Sequence, residues 1–261
     1  MNAISFLTGA VFFILGAIIG SFLNVCIYRI PEGLSVVSPA SRCPQCKAAI
    51  RWYQNIPIIS YLYLRGRCAG CGVRISLRYP VVEALTGLLF VLVWRQFGGV
   101  FVIPVYWLFA ASLVVVSFID LDHRIIPDAI SLPGTVVGFL LSFLVPWVSW
   151  QDSLLGILLG GGSLLLVAKV YHLLTRVEGM GMGDVKLLAM IGAFLGWKAV
   201  LPVVFIGSLS GAMVGVPLML LKRTGGRLAI PFGPFLATGA VIYLLYGERL
   251  IGWYMALAFG R

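Results

Sequence analysis

Six long runs of this sequence carry no charged side chain, and they decide what the chain can become. Met1–Tyr28 is the first, and the residues between Arg95 and Asp120 are the second. Ala129–Gln151, the segment ending at Lys169, Ala199–Leu221 and Leu228–Gly247 follow. Each approaches or exceeds the roughly 20 apolar residues that take a helix across about 30 Å of hydrocarbon. Charged residues make up 11% of the chain and hydrophobic ones 61%, whereas a soluble domain carries about 25% charged. A water-soluble fold is excluded. The opening run lacks a basic leader segment and is long enough to span, so it reads as a retained first helix.

Two weaker segments, Val81–Phe97 with Glu83 and Arg95, and Val185–Trp197 with Lys186, can also span if their terminal charges reach the headgroups. Counting them gives an all-α polytopic membrane protein of about eight transmembrane helices. The basic residues orient it. With the N-terminus outside, those of 29–80, Arg124, Lys169, Arg176, Lys186, Lys222, Arg223 and Arg227 fall inside. Arg95, Lys198, Arg249 and Arg261 remain outside. This obeys the positive-inside rule, with the apolar tail Leu250–Gly260 free to lie in the interface. The net charge of +10 then serves topology and anionic lipid rather than nucleic acid. Only 29–80 is long enough for an extramembrane module, which divides the chain into a first helix (1–28), that module (29–80) and a helical core (81–261). The glycine-rich stretches LGILLGGG (155–162) and GSLSGAMVG (207–215) read as helix-packing surfaces.

The module contains CPQC at 43–46 and CAGC at 68–71. Each CxxC turn can place two thiolates on one metal, and two pairs complete a tetrahedral site with no open position. Cys43, Cys46, Cys68 and Cys71 are therefore read as ligands of a structural Zn2+, which would order a segment with little apolar core. Disulfides, a redox pair or unliganded cysteines are the other readings. The inner location weighs against stable disulfides, and the missing βαβ pattern weighs against redox chemistry. Trp52, Tyr53, Ile56–Ile59 and Tyr61–Leu64 form an aromatic stretch able to pack on the bilayer surface or the helix ends. Cys26 reads as a small core side chain.

Acids gather at the inner membrane edge. FIDLDHRIIPD (118–128) joins two spans, and EGMGMGDVK (178–186) leads into a weak one. Acids next to hydrocarbon are costly unless paired, solvated or functional. Asp120 closes the third span and Asp184 opens the sixth, so bundle packing can bring them together. Two carboxylates sharing a proton can activate water against an amide. The alternatives are an ordinary helix cap at Asp184 and a solvated loop in which Arg124 pairs with Asp120, Asp122 or Asp128. Gly179, Gly181 and Gly183 would let a backbone approach closely. His123 and His172 read as surface or hydrogen-bonding residues.

Taken together, GSFLNVCIYRIP (20–31), the cysteine segment 41–87, IDLDHRIIPD (119–128), GMGMGDVKLLAMIGAFLGW (residues 179–197) and PFGPFLA (231–237) closely resemble the bacterial type IV prepilin peptidases, the bifunctional leader peptidase/N-methyltransferases. The resemblance covers nearly the whole chain. It implies an aspartic protease core over 81–261 with Asp120 and Asp184 as the catalytic aspartates. It implies cleavage on the cytoplasmic side of the bacterial inner membrane, after the glycine that ends a basic leader. The substrates would be type IV prepilins and type II secretion pseudopilins, each with a hydrophobic N-terminal helix. The new amine would then be methylated from S-adenosylmethionine.

No strand–GxGxG–helix unit is present for that cofactor, and its binding residues are not legible. GSFLNVCIYRIP and the cysteine module could contribute to methyl transfer, and Glu83, an inner-edge acid, could meet an amine or pair with Arg78. A peptidase without methyltransferase activity, a transporter and a membrane scaffold remain as alternatives. Charged sites at one face rather than the midplane argue against transport.

Overall fold

The computed structural model describes residues 3–98, 101–176, 181–222 and 230–260. Among them regular structure is helical, with only two isolated β-bridges. The chain forms two compact units, Met1–Val115 and Val116–Arg261.

The first unit contains α1 (Ala3–Arg29), a single 3-10 turn (Trp52–Asn55), the short α2 (Ile59–Tyr63), α3 (Arg78–Phe97) and the beginning of α4 (Ile103–His123). Helices α1 and α3 run antiparallel and approach backbone to backbone. A Cβ on Gly16 would stand 2.7 Å from the Gly87 Cα, and one on Gly20 would stand 2.7 Å from the Glu83 Cα. Small residues allow this contact where lipid supplies no hydrophobic drive between helices. Toward the other end, Phe90 stacks on Trp107 at 4.6 Å between centroids, and Phe12 meets Trp94 and Trp107. The opposite face of α1 exposes Phe6, Leu7, Val11 and Ile14, as lipid contact requires.

The second unit contains the end of α4, α5 (Asp128–Leu141), α6 (Trp150–Thr175), α7 (Met182–Leu195), α8 (Trp197–Lys222) and α9 (Gly233–Phe259). Its centre is α7, where Leu187, Leu188, Met190 and Ile191 are fully buried and α5, α6, α8 and α9 all pack on it. A helix apolar on every side belongs in such a position. The first glycine-rich stretch does pack: Gly156 lies directly on Gly192, and a Cβ on Gly160 would come within 2.6 Å of the Leu188 carbonyl oxygen. In the second stretch, Gly207 and Gly211 lie against Phe235 of α9.

Among the described residues six helices, α1, α3, α4, α6, α8 and α9, are long and apolar enough to cross a membrane, the architecture of a polytopic membrane protein. Two of the remaining three helices, α5 and α7, are shorter than a full span. α5 and α7 have 14 residues each, about 21 Å at 1.5 Å per residue. The uncharged run Ala129–Gln151 is thus not one helix. α5 ends at Leu141, where the Ser142 hydroxyl turns back to the Phe139 carbonyl, and Pro146 lacks the N–H a continuing helix needs. α6 starts afresh at Ser149, whose hydroxyl caps the Asp152 N–H, and runs past Lys169 to Thr175. At the far end α9 continues through the tail to Phe259 instead of stopping at Gly247.

Candidate active site and metal centre

In the second unit three chain segments converge on Asp120. The residue lies one turn before the end of α4 and is 5% exposed. The Gly233 N–H, at the first residue of α9, donates to its Oδ2 at 2.9 Å. Free N–H groups at a helix start attract an anion, so α9 supplies a helix N-terminus to a carboxylate that its own helix presents from a C-terminus. A Cβ on Gly233 would lie 2.7 Å from that oxygen.

The third segment is the start of α7. Gly181 is its N-cap, and Asp184 falls in the first turn, half-buried, with its Oδ2 3.8 Å from where a Gly181 Cβ would be. Its carboxylate is close enough to feel the charge of Asp120. Ile126, 9% exposed, fills the gap: a Cβ on Gly183 would stand 2.8 Å from its Cβ, and one on Gly233 would stand 3.3 Å from its Cδ1. Close approach thus requires glycine at both positions.

Asp128, the first residue of α5, pairs with Lys186 of α7 through 2.7 and 2.8 Å contacts. Its partner is Lys186 and not Arg124, and the pair fastens the α4–α5 turn beside Asp184. Asp122, His123 and Arg124 are exposed, as is His172. Glu178 and Gly179 lie outside the described residues, as do Arg223, Arg227 and Arg261. Gly233 is the functional residue that sequence reasoning missed. PFGP stands out in the sequence as a block, but only the fold reveals which carboxylate its amide meets.

In the first unit the two cysteine turns repeat one backbone pattern. Lys47 N–H donates to the Cys43 carbonyl, and Gly72 N–H to that of Cys68; Cys43 and Cys68 N–H donate forward to Ala48 and Val73. Lys47 and Gly72 both have positive φ. The turns face each other, with Cys43 and Cys71 Sγ 3.9 Å apart and Cys46 and Cys68 Sγ 4.0 Å apart. All four sulfurs lie within 4.8 Å of one another. Ligands about 2.3 Å from one tetrahedral ion have this spacing, whereas disulfide sulfurs stand about 2.05 Å apart. The cluster can hold a metal ion. Backbone N–H groups of Cys71 and Gly70 hold the Cys68 thiol down to about 6. Cys26 is buried in the first unit, as expected of a core side chain. Trp52, Ile59, Leu62 and Tyr63, from the aromatic stretch, are exposed.

A family profile described as "Bacterial Peptidase A24 N-terminal domain" matches residues 14–97, and one described as "Type IV leader peptidase family" matches 107–216. The chain is 38% identical over 270 residues to a prepilin leader peptidase/N-methyltransferase of Pseudomonas putida, covering 94% of this chain and 92% of that one. A relative of the same name from Aeromonas hydrophila is 40% identical over 271 residues, with 93% and 92% covered. A third, from Myxococcus xanthus, is 44% identical over 214 residues, and there the match spans 82% of this chain but 64% of the relative. No solved structure matches.

Proposed function

Because the chain belongs to the bacterial type IV leader peptidase family, we propose that it cleaves the leader of type IV prepilins and type II secretion pseudopilins with Asp120 and Asp184, and then N-methylates the new N-terminus. The observation that carries the dyad is the convergence of the end of α4 with the starts of α7 and α9 around two carboxylates. A water between them gives its proton to the ionised member as its oxygen attacks the scissile carbonyl. The protonated member hydrogen-bonds the carbonyl oxygen and passes its proton there. As the tetrahedral intermediate collapses, the dyad returns a proton to the departing amine. The two carboxylates titrate as a pair. Gly233 N–H fixes one oxygen of Asp120, leaving the other for water or substrate.

The long apolar helices and the bacterial relatives support a multi-pass place in the inner membrane. The finer topology rests on the basic residues: eight membrane helices with the N-terminus outside, the short α5 and α7 held within the bundle, and the dyad at the cytoplasmic face. There the hydrophobic helix of the substrate stays in lipid while the bond after the leader glycine reaches water.

The domain division places the peptidase core in 81–261 and the cytoplasmic module in 29–80. In the module, Cys43, Cys46, Cys68 and Cys71 would hold Zn2+. Bound there, the ion would cross-link the two cysteine turns.

S-adenosylmethionine supplies an activated methyl group to the amine released by cleavage. A cavity in the module, lined by Tyr53, Gln54, Ser60, Tyr63, Leu64 and Ala69, measures about 270 Å³. Pockets that enclose such ligands have roughly 300–1,000 Å³, and this lining offers no charge to a sulfonium. It does not fit the whole cofactor.

The test is mass spectrometry of a prepilin incubated with the purified protein and S-adenosylmethionine in detergent, without a gradient. A product cut after the leader glycine and heavier by one methyl group is expected. Uncut substrate would sink the proposal.

A further inference from the structure

Glu83 is 7% exposed on α3, and the peptidase chemistry above makes no use of it. Its Oε2 accepts a hydrogen bond of 2.7 Å from the backbone N–H of Ile58, which precedes α2 in the cysteine module. Ile58 has φ 61° and ψ −49°, and the Ile59 N–H returns to the Pro57 carbonyl. This is a γ-turn of the rare, strained kind with positive φ, built on a β-branched residue that resists such a conformation. Strain of this sort persists only where the surroundings impose it. Here the imposing group is a buried carboxylate, whose bond to an N–H is stronger than one between neutral groups.

The base beneath the clamp is closely packed. Gly20 of α1 packs on the Glu83 backbone. One turn further along α1, Asn24, 2% exposed, donates through Nδ2 to the Gly20 and Tyr79 carbonyls. The module therefore has two separate fasteners: the thiol cluster that joins its two turns, and Glu83, which pins the segment between them to α1 and α3.

We propose that Glu83 is a positioning residue for methyl transfer: its carboxylate clamps the strained Ile58 turn and so seats the cysteine module on the α1–α3 pair. The proposal rests on the expectation that GSFLNVCIYRIP (20–31) and the cysteine module contribute to methyl transfer. Leader cleavage and metal content do not depend on the clamp.

The experiment uses the full-length, metal-replete protein in detergent. Trypsin cutting at Arg65, Arg67 and Arg74, leader cleavage, methyl incorporation and zinc content are read on the same samples. In Glu83→Ala, trypsin cutting rises and methyl incorporation falls by about tenfold or more, the factor that one charge-assisted hydrogen bond carries. Leader cleavage and zinc stay within about twofold. Glu83→Gln, which keeps an uncharged acceptor, lies between.

The decisive arm is Glu83→Ala combined with Ile58→Gly. Glycine holds positive φ without strain, so protection and methylation recover in part, which loss of ordinary packing would not allow. Unchanged protection in Glu83→Ala, no recovery with Ile58→Gly, or zinc lost together with protection would each overturn the clamp. Cys43→Ser separates the two layers. If it abolishes methylation while Glu83→Ala leaves it intact, the clamp proposal fails alone. If neither variant affects methylation, the module's role in that reaction fails.

Discussion

The Gly233 amide donates to Asp120 across a gap of 113 positions in sequence, so the first turn of α9 holds a carboxylate that belongs to α4. The site at Gly233 has no room for a side chain, since a Cβ there would lie 2.7 Å from Asp120 Oδ2 and 3.3 Å from Ile126 Cδ1.

Gly233→Ala is therefore expected to leave a folded protein that has lost most of its leader cleavage. A misplacement of about 1 Å in a reacting group costs on the order of 100-fold. Steady-state cleavage of a detergent-solubilised prepilin checks this, with zinc content as the folding control. Cleavage within about twofold of normal would mean that Asp120 is not held in its working position by α9.

Asp120→Asn and Asp184→Asn are each expected to lower cleavage by about 10³-fold or more, since either change removes a proton carrier that general acid–base catalysis values at about 10²–10⁴. Because the pair works as a unit, the double variant should be hardly worse than either single one. Asp122→Asn, at an exposed position, should be mild. Near-normal processing by either dyad variant, with membrane expression matched, would end the assignment.

Asp128→Asn and Lys186→Met break an ion pair whose side chains are 58% and 29% exposed. Exposed pairs contribute about 0–1 kcal/mol, so the melting temperature should barely move. What the pair does is hold the start of α5 against the start of α7. Each variant should lose about three- to tenfold in cleavage, and the double variant no more than the worse single. Additive losses would show that the two residues act separately.

Much of this was legible because membranes impose simple rules on a chain. The uncharged runs marked the helices, and the CxxC pairs announced a cluster whose sulfurs do converge. Absence of charge does not by itself mean continuity of helix. Ala129–Gln151 is uncharged throughout, yet Ser142 and Pro146 end α5 early, and hydropathy does not register a hydroxyl that turns back on its own helix. The role of Gly233 was hidden for another reason. Its value is a distance to Asp120, and distances between helices distant in sequence are set by packing. The partner of Asp128 was missed likewise, because Arg124 is near in sequence but Lys186 is near in space.

The metal centre allows a test in which the proton count itself is read. Cysteine binds zinc as thiolate, so binding expels a proton from every ligand still protonated. In the metal-free protein the N–H groups of Cys71 and Gly70 hold the Cys68 thiol down to about 6. Above that pH Cys68 is already a thiolate, and zinc need not displace its proton. Below it, one more proton must leave for each ion bound. Affinity should therefore weaken as pH falls, and the slope of log Kd against pH should steepen by about one near pH 6. Competition with a chromophoric chelator from about pH 5 to 8 measures this, on protein whose X-ray absorption shows only sulfur neighbours around zinc. Cys68→Ser should weaken binding and remove the break in slope, while Cys26→Ala should leave both unchanged. A straight line through pH 6 in the unmodified protein would mean that the two amides do not hold a thiolate at Cys68.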